Sequence, residues 1–110
     1  PWFKLRALRG KPAPSLDARP GLAEDHSERV LLYFMSPSCG MCRNTTIIID
    51  ELLERRNDVV RIDASAHPEL AQRFGIMGTP AFVVVGAGMI ENVKLGALSR
   101  AGIMALLDDA

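Results

Sequence analysis

The chain has 110 residues, of which 48% are hydrophobic and 24% charged, and its thirteen basic residues balance thirteen acidic ones. This is the composition of one globular domain with a single core, and the balanced charge gives no reason to expect a nucleic acid or an anionic membrane as partner. No apolar run approaches the roughly 18 residues of a membrane span, and two cysteines are too few for a disulfide-rich secreted scaffold.

Residues 1–29 are predicted to form an N-terminal extension. Phe3, Leu5 and Ala7 alternate with basic residues, a pattern that allows an edge strand. A loop rich in proline and glycine follows, and then a short helix is expected. Because the chain begins at Pro1 instead of methionine, we expect that a segment upstream of it was removed.

Residues 30–110 are predicted to form the core of the single domain. The apolar segment Val30–Met35 predicts a strand that is buried on both faces. A helix is predicted from about Cys39 to Arg56, with Ser36 or Ser38 as its N-cap. The later predicted elements are a strand at Val59–Asp63, a helix from Pro68 that ends before Gly75, a hairpin made of Ala81–Val85 and 89–96, and a helix capped by Ser99. This order predicts an α/β domain with a mixed sheet.

Both cysteines, Cys39 and Cys42, lie in the segment SPSCGMC, at the corner between the first strand and the first helix. A sulfur at the first turn of a helix meets unpaired N–H groups and the positive end of the helix dipole, which favour thiolate over thiol. The thiolate is the species that attacks a disulfide. Cys42, one turn further in, is expected to stay protonated until it resolves a mixed disulfide. Gly40 and Met41 form a short link that lets the two sulfurs approach.

Other interpretations of this pair stay open at this point. The cysteines could be a buried pair without chemistry, or half of a zinc site, which commonly has four ligands. The only other candidate ligands of that kind are His26 and His67, and neither has a second histidine three to five residues away. The competing function is a non-catalytic module that binds a partner or captures a metal ion with two thiolates.

From Val30 onward the chain resembles the thioredoxin family. The resemblance rests on the segments VLLYFMSPSCGMC, VVRIDAS, FGIMGTPAFVVV and VKLGALSRAGIMALL. It implies a three-layer α/β/α fold around a central mixed sheet, and a thiol–disulfide oxidoreductase that acts as a protein-disulfide reductase. It implies no metal or organic cofactor.

The resemblance also implies partners. These are protein disulfides or dithiols and an electron donor, either a thioredoxin-reductase-like protein or a membrane protein. We expect a monomer. The sequence slightly favours the cytoplasm and leaves a membrane-anchored or periplasmic location open.

In this family the proline of the later G-T-P segment is cis and packs opposite the two sulfurs, and by resemblance it is Pro80. The bend exposes the backbone of the preceding residue, with which a substrate peptide can pair as an added strand. Cys39 and Cys42 are then the catalytic pair. The other substrate-binding residues implied are the lip of the groove and the link between the cysteines: Met77, Gly78, Thr79, Gly40 and Met41.

The chain departs from the family pattern close to the cysteines. Ser38 replaces the usual tryptophan, and Met41 replaces the usual proline. Tyr33 holds the place of a buried acid that assists proton transfer at the second cysteine, and we expect it to be a packed core residue. The loss of that acid predicts a slower resolving step by Cys42. Arg43 either adds positive charge near the site or lies on a solvated helix face.

Overall fold

The computed structural model describes residues 29–108; the strand and short helix predicted for the extension lie outside these residues. The described strands are β1 (Val30–Met35), β2 (Val59–Asp63), β3 (Ala81–Gly86) and β4 (Met89–Leu95), and the helices are α1 (Cys42–Leu53), α2 (Pro68–Arg73) and α3 (Arg100–Asp108). None of the described helices is long and apolar enough to cross a bilayer.

The four strands form one mixed sheet in the order β2-β1-β3-β4. Strand β1 runs parallel to β2, with Leu32 opposite Val60, and antiparallel to β3, with Leu32 opposite Val83. Because β1 has a neighbour on each side, its backbone is paired along both edges. The continuous apolar sequence of β1 is typical of such a central strand.

Side chains from β1 alternate between two hydrophobic clusters, one on each face of the sheet. Leu31, Tyr33 and Met35 pack with buried residues of α1 and α3, among them Ile49, Leu52, Ile103 and Leu106. Leu32 and Phe34 face the other cluster, which includes Ala71 of α2 and the following Phe74 and Ile76. Helices therefore cover both faces, and the predicted three-layer α/β/α architecture is confirmed.

The helix predicted from Cys39 to Arg56 is shorter at both ends. The N–H groups of Cys42 and Arg43 donate to the carbonyls three residues earlier, at 3.2 and 3.4 Å. Such bonds form turns that are tighter than an α-helix, which therefore begins at Cys42. At the other end, the Leu52 carbonyl accepts from the N–H of Arg56 at 2.8 Å in the closing turn.

The prediction that Ser36 or Ser38 caps this helix is wrong. The N-cap is Met41, which makes no side-chain capping hydrogen bond. Instead, Ser36 Oγ accepts from the backbone N–H of Ser38 at 3.3 Å and lies 3.0 Å from Ser38 Oγ. The two serines stabilise the turn that precedes the helix and leave the helix terminus open.

The elements after β2 agree closely with those predicted from the sequence. Pro68 occupies the start of α2, and Gly75 just beyond its end has a φ of 73°. Ala87 and Gly88 between β3 and β4 have φ values of 52° and 76°, as a two-residue type I′ turn requires. Ser99 Oγ accepts from the N–H of Gly102 at 3.1 Å, so the predicted cap of α3 is confirmed.

Candidate active site

Cys39 and Cys42 are joined by a disulfide in the turn between β1 and α1, with their Cα atoms 5.3 Å apart. The N–H of Cys39 donates to the carbonyl of Ser36 at 3.0 Å, and that of Cys42 donates to the carbonyl of Cys39 at 3.2 Å. These two successive turns hold the cysteine side chains on the same side of the loop. The pair can therefore alternate between a closed ring and a dithiol without unfolding the helix.

The two cysteines differ in their burial. Cys42 is 2% exposed and belongs to the hydrophobic cluster under α1 and α3, whereas Cys39 is half-buried and packs at the edge of that cluster. A partner sulfur can approach Cys39 from solvent, but Cys42 is covered. The accessible sulfur and the covered one thus lie side by side.

The backbone of Cys39 precedes helix α1, but its sulfur is bonded to that of Cys42, the first residue of the helix. The sulfur of Cys39 is therefore held at the helix N-terminus. No acidic residue lies in the first turn of this 12-residue helix. The positive end of the helix dipole is left to stabilise a thiolate at Cys39 once the disulfide is reduced.

Tyr33 lies beneath the pair and is fully buried, which confirms it as a core residue. Its ring stacks on Phe82 with the ring centroids 5.2 Å apart. Its hydroxyl donates to the carbonyl of Cys42 at 3.2 Å and lies 2.9 Å from Thr46 Oγ1. Because a carbonyl can only accept, the tyrosine proton is donated to the carbonyl of Cys42. The hydroxyl of Thr46 therefore donates to the tyrosine oxygen. Burial raises the pKa of Tyr33, against the lowering effect of the Thr46 hydrogen bond.

The loop before β3 lies next to the dithiol loop. The Thr79–Pro80 peptide is cis, as the resemblance implies. Phe34 pairs with Ala81, so the residues just before Ala81 lie beside those that follow β1. Ser36 lines two neighbouring depressions. The first is lined also by Cys39, Gly40, Cys42, Arg43 and Thr46, and the second also by Met77, Gly78 and Thr79.

Of the predicted substrate-contacting residues, Gly40, Met77, Gly78 and Thr79 line these two depressions, and Met41 and Pro80 adjoin them in the chain. Met77 is 82% exposed and Met41 is 65% exposed, so both present apolar side chains to solvent. Gly40 and Gly78 are exposed, Thr79 is half-buried, and Pro80 is buried at the start of β3. The structure thus brings the two segments of the predicted site together at one end of the sheet.

Asp63, Ser65 and Thr46 are site residues that the sequence analysis missed. Asp63 Oδ1 accepts from the hydroxyl and the N–H of Ser65, at 2.6 and 2.9 Å, and thereby holds the loop that lines the second depression. The hydrogen bond from the Ser65 hydroxyl is the main cause that lowers the pKa of Asp63. The spacing D-x-S after a strand is a signal for such a turn, whereas nothing local singles out Thr46.

Among residues 29–108, no group of three or more histidine, cysteine, aspartate or glutamate side chains is arranged to hold a metal ion. His67, a candidate zinc ligand, is the N-cap residue of α2. The other candidate, His26, lies outside the described residues. The described part of the chain offers a metal two sulfur ligands at this site.

Comparisons with a family model, with related sequences and with solved structures all identify thioredoxins. A family model described as Thioredoxin matches residues 21–109. A thioredoxin of Acidithiobacillus ferridurans is 32% identical over 85 residues, which cover 74% of this chain and 79% of the relative. A thioredoxin of Bacillus subtilis is 27% identical, with 78% and 86% covered. The crystal structure of a reduced Schistosoma mansoni thioredoxin pre-protein superposes with a TM-score of 0.73 at 22% identity and covers 90% of this chain and 94% of its own.

Proposed function

The chain belongs to the thioredoxin family and is a thiol–disulfide oxidoreductase, and we propose that Cys39 is its attacking nucleophile and Cys42 its resolving thiol. One observation carries this assignment: Cys39 is half-buried at the mouth of the site, whereas Cys42 is 2% exposed. An intermolecular disulfide needs a sulfur that another protein can reach. Resolution needs only a sulfur that can reach Cys39, and Cys42 is bonded to it in the oxidised form.

In the reducing direction, the Cys39 thiolate attacks one sulfur of a protein disulfide. A bond from Cys39 to the substrate forms, the substrate S–S bond breaks, and the released sulfur takes a proton from water. Cys42 then loses its proton and attacks the Cys39 sulfur, so the second substrate thiolate leaves. Two electrons pass from the dithiol to the substrate, and the Cys39–Cys42 disulfide is the product.

The proton of Cys42 needs a route that does not pass through a buried carboxylate. Tyr33 occupies the place beneath the pair, and because burial raises its pKa, it stays protonated near neutral pH and cannot accept a proton. No carboxylate is among the described residues that line the depression shared by Cys39, Cys42 and Thr46. We therefore propose that this proton leaves directly to solvent through that depression.

The second depression serves as the groove for the substrate backbone in this proposal. Ser36 lines this depression as well as the one that contains Cys39, and the backbone around Thr79 is proposed to pair with an extended substrate segment. The exposed thioethers of Met41 and Met77 offer adaptable apolar contacts to varied sequences. The residues proposed to contact the substrate are Met77, Gly78, Thr79, Pro80, Gly40 and Met41.

Membership of the family implies protein disulfide substrates and a reductase-type partner that returns the pair to the dithiol. We propose that residues 30–110 work as a monomeric core with residues 1–29 as an extension. The donor is proposed to be either a thioredoxin-reductase-like protein or a membrane redox protein, because both supply electrons to an exposed disulfide of this type.

A trapping experiment tests the two roles. Reduced Cys42→Ala protein is mixed with a protein that carries an accessible disulfide and is analysed on a non-reducing gel. We expect a mixed disulfide through Cys39 to accumulate, because no second thiol remains to resolve it. The matched variant, Cys39→Ala, is expected to give no adduct because its remaining thiol is covered. An adduct that forms equally well in both variants would reverse the assignment.

A further inference from the structure

Formal charge is scarce around the dithiol. The loops of residues 36–41, 64–67 and 74–80, which surround the two depressions, contain no lysine, arginine, aspartate or glutamate. The described wall of the first depression carries one charged side chain, Arg43, in the first turn of α1. Arg43 is therefore the charged side chain on the wall beside the two sulfurs, and the carboxylate of Asp63 lies on the side of the second depression, where it accepts from Ser65.

Arg43 also differs from the arginines that form ion pairs within the domain. Within the described residues, no carboxylate oxygen lies within 4.0 Å of the Arg43 side chain, which is exposed. The described arginines that do have a carboxylate partner form the pairs Arg29–Glu91, Arg56–Asp58, Arg56–Asp108, Arg61–Asp50 and Arg100–Glu51. A guanidinium that has five N–H donors and no carboxylate partner at the mouth of a site can pair with an anion from outside.

Hydroxyl groups on the same wall add a neutral donor. Ser36 Oγ and Ser38 Oγ lie 3.0 Å apart, so one of their two protons bridges them and the other remains for a ligand. The hydroxyl of Thr46 is engaged with Tyr33. A small group that carries negative charge and accepts several hydrogen bonds matches this set of donors, and a carboxylate is such a group.

We propose that the depression lined by Arg43, Ser36 and Ser38 binds the carboxylate of an aspartate or glutamate that flanks the attacked cysteine of a substrate protein. Arg43 is then a specificity-determining residue. This inference rests on the proposed function, because it places the substrate cysteine at Cys39, which lines the same depression. Because Cys39 and Arg43 line the same depression and an extended chain advances about 3.3 Å per residue, we expect the carboxylate to belong to a residue one or two positions from that cysteine.

Peptide disulfides test this directly. Three peptides, acetylated and amidated at their ends, differ only in one residue next to the attacked cysteine, which is Glu, Gln or Lys. The kcat/KM for their reduction by the reduced protein is measured at low ionic strength. We expect the Glu peptide to be preferred over the Gln peptide by about threefold to tenfold, with the Lys peptide slowest. Added salt should shrink the preference.

Two variants separate recognition from other effects. Arg43→Gln should bring the Glu and Gln peptides to the same kcat/KM, even if it slows both by removing a cation near the Cys39 thiolate. The control is Arg55→Gln, because Arg55 is exposed beyond the end of α1, and it should keep the wild-type preference. The ratio between peptides is therefore the readout, and the absolute rate is not.

The outcomes distinguish this inference from the proposed function. Equal rates for the Glu and Gln peptides in the wild type, or a preference that survives Arg43→Gln, would overturn the carboxylate site and leave the roles of Cys39 and Cys42 intact. If the reduced wild-type protein attacked none of the peptides, the proposed function and this inference would fail together.

Discussion

Replacing Cys39 with serine is expected to abolish the reduction of protein disulfides, by at least about a thousandfold in kcat/KM. A serine hydroxyl stays protonated at any working pH and cannot form a disulfide, so the first attack is lost while the side chain keeps its size. The measurement is an insulin-type disulfide assay with a dithiol as electron donor. Cys42→Ser should also lose turnover, but it should retain a single stoichiometric attack through Cys39.

The control for Cys39→Ser is Ala105→Ser, which introduces the same residue at an exposed position of α3. It should keep wild-type turnover. Thermal unfolding of each variant shows whether the protein is folded under the assay conditions. Wild-type turnover by a folded Cys39→Ser protein would mean that the disulfide exchange takes place elsewhere on the molecule.

Loss of the Tyr33 side chain is expected to have the second large effect, on stability. Tyr33→Ala removes a fully buried ring that stacks on Phe82 beneath the dithiol, and should lower the free energy of unfolding by about 3–5 kcal/mol. Tyr33→Phe keeps the ring and removes only the hydroxyl that is hydrogen-bonded to Cys42 and Thr46. This substitution should lower the free energy of unfolding by about 1–2 kcal/mol. Urea unfolding of the oxidised proteins measures both values.

Phe34 provides the matched control on the same strand. Its ring is also fully buried but faces the opposite cluster, where it packs against Phe74. Phe34→Ala should destabilise the domain about as much as Tyr33→Ala, since both remove a buried ring. If Tyr33→Phe proved as damaging as Tyr33→Ala, the hydroxyl and not the ring would be the main contribution of this residue.

The layered architecture could be predicted from the sequence because each element carries its own local signal. Val30–Met35 is apolar throughout, as a strand with neighbours on both sides requires. Gly88 supplies one of the positive φ values that the hairpin turn needs, and Ser99 precedes the last helix as its cap. These signals depend on residues that are close in sequence.

The details of the site depend on contacts that no local pattern encodes. Ser36 and Ser38 are equally suitable N-caps by residue type, and only the path of the turn makes them bond to each other. The Tyr33–Thr46 contact joins residues thirteen positions apart and depends on how α1 lies across the sheet. The resemblance indicated where an acid is missing beneath the dithiol, but it did not indicate the threonine that pairs with the replacement.

The isoleucine run in α1 shows that a strong local preference can also predict the wrong element. Three consecutive isoleucines favour a strand locally, yet all three lie in the helix. Ile49 is fully buried against the sheet, and Ile47 is 56% exposed. The helical period therefore places only part of the run in the core, and tertiary packing overrides the local preference.

The central claim is that the sulfur of Cys39 is both accessible and activated by its position at the start of α1. The sulfur of Cys42 is covered, and it reacts only with the mixed disulfide that forms at Cys39. The most direct test is the alkylation rate of each thiol in the fully reduced protein near neutral pH, resolved by peptide mapping. The account predicts that Cys39 reacts faster than free cysteine and that Cys42 reacts far more slowly than Cys39. Equal rates at both thiols, or a Cys39 that reacts no faster than free cysteine, would contradict it.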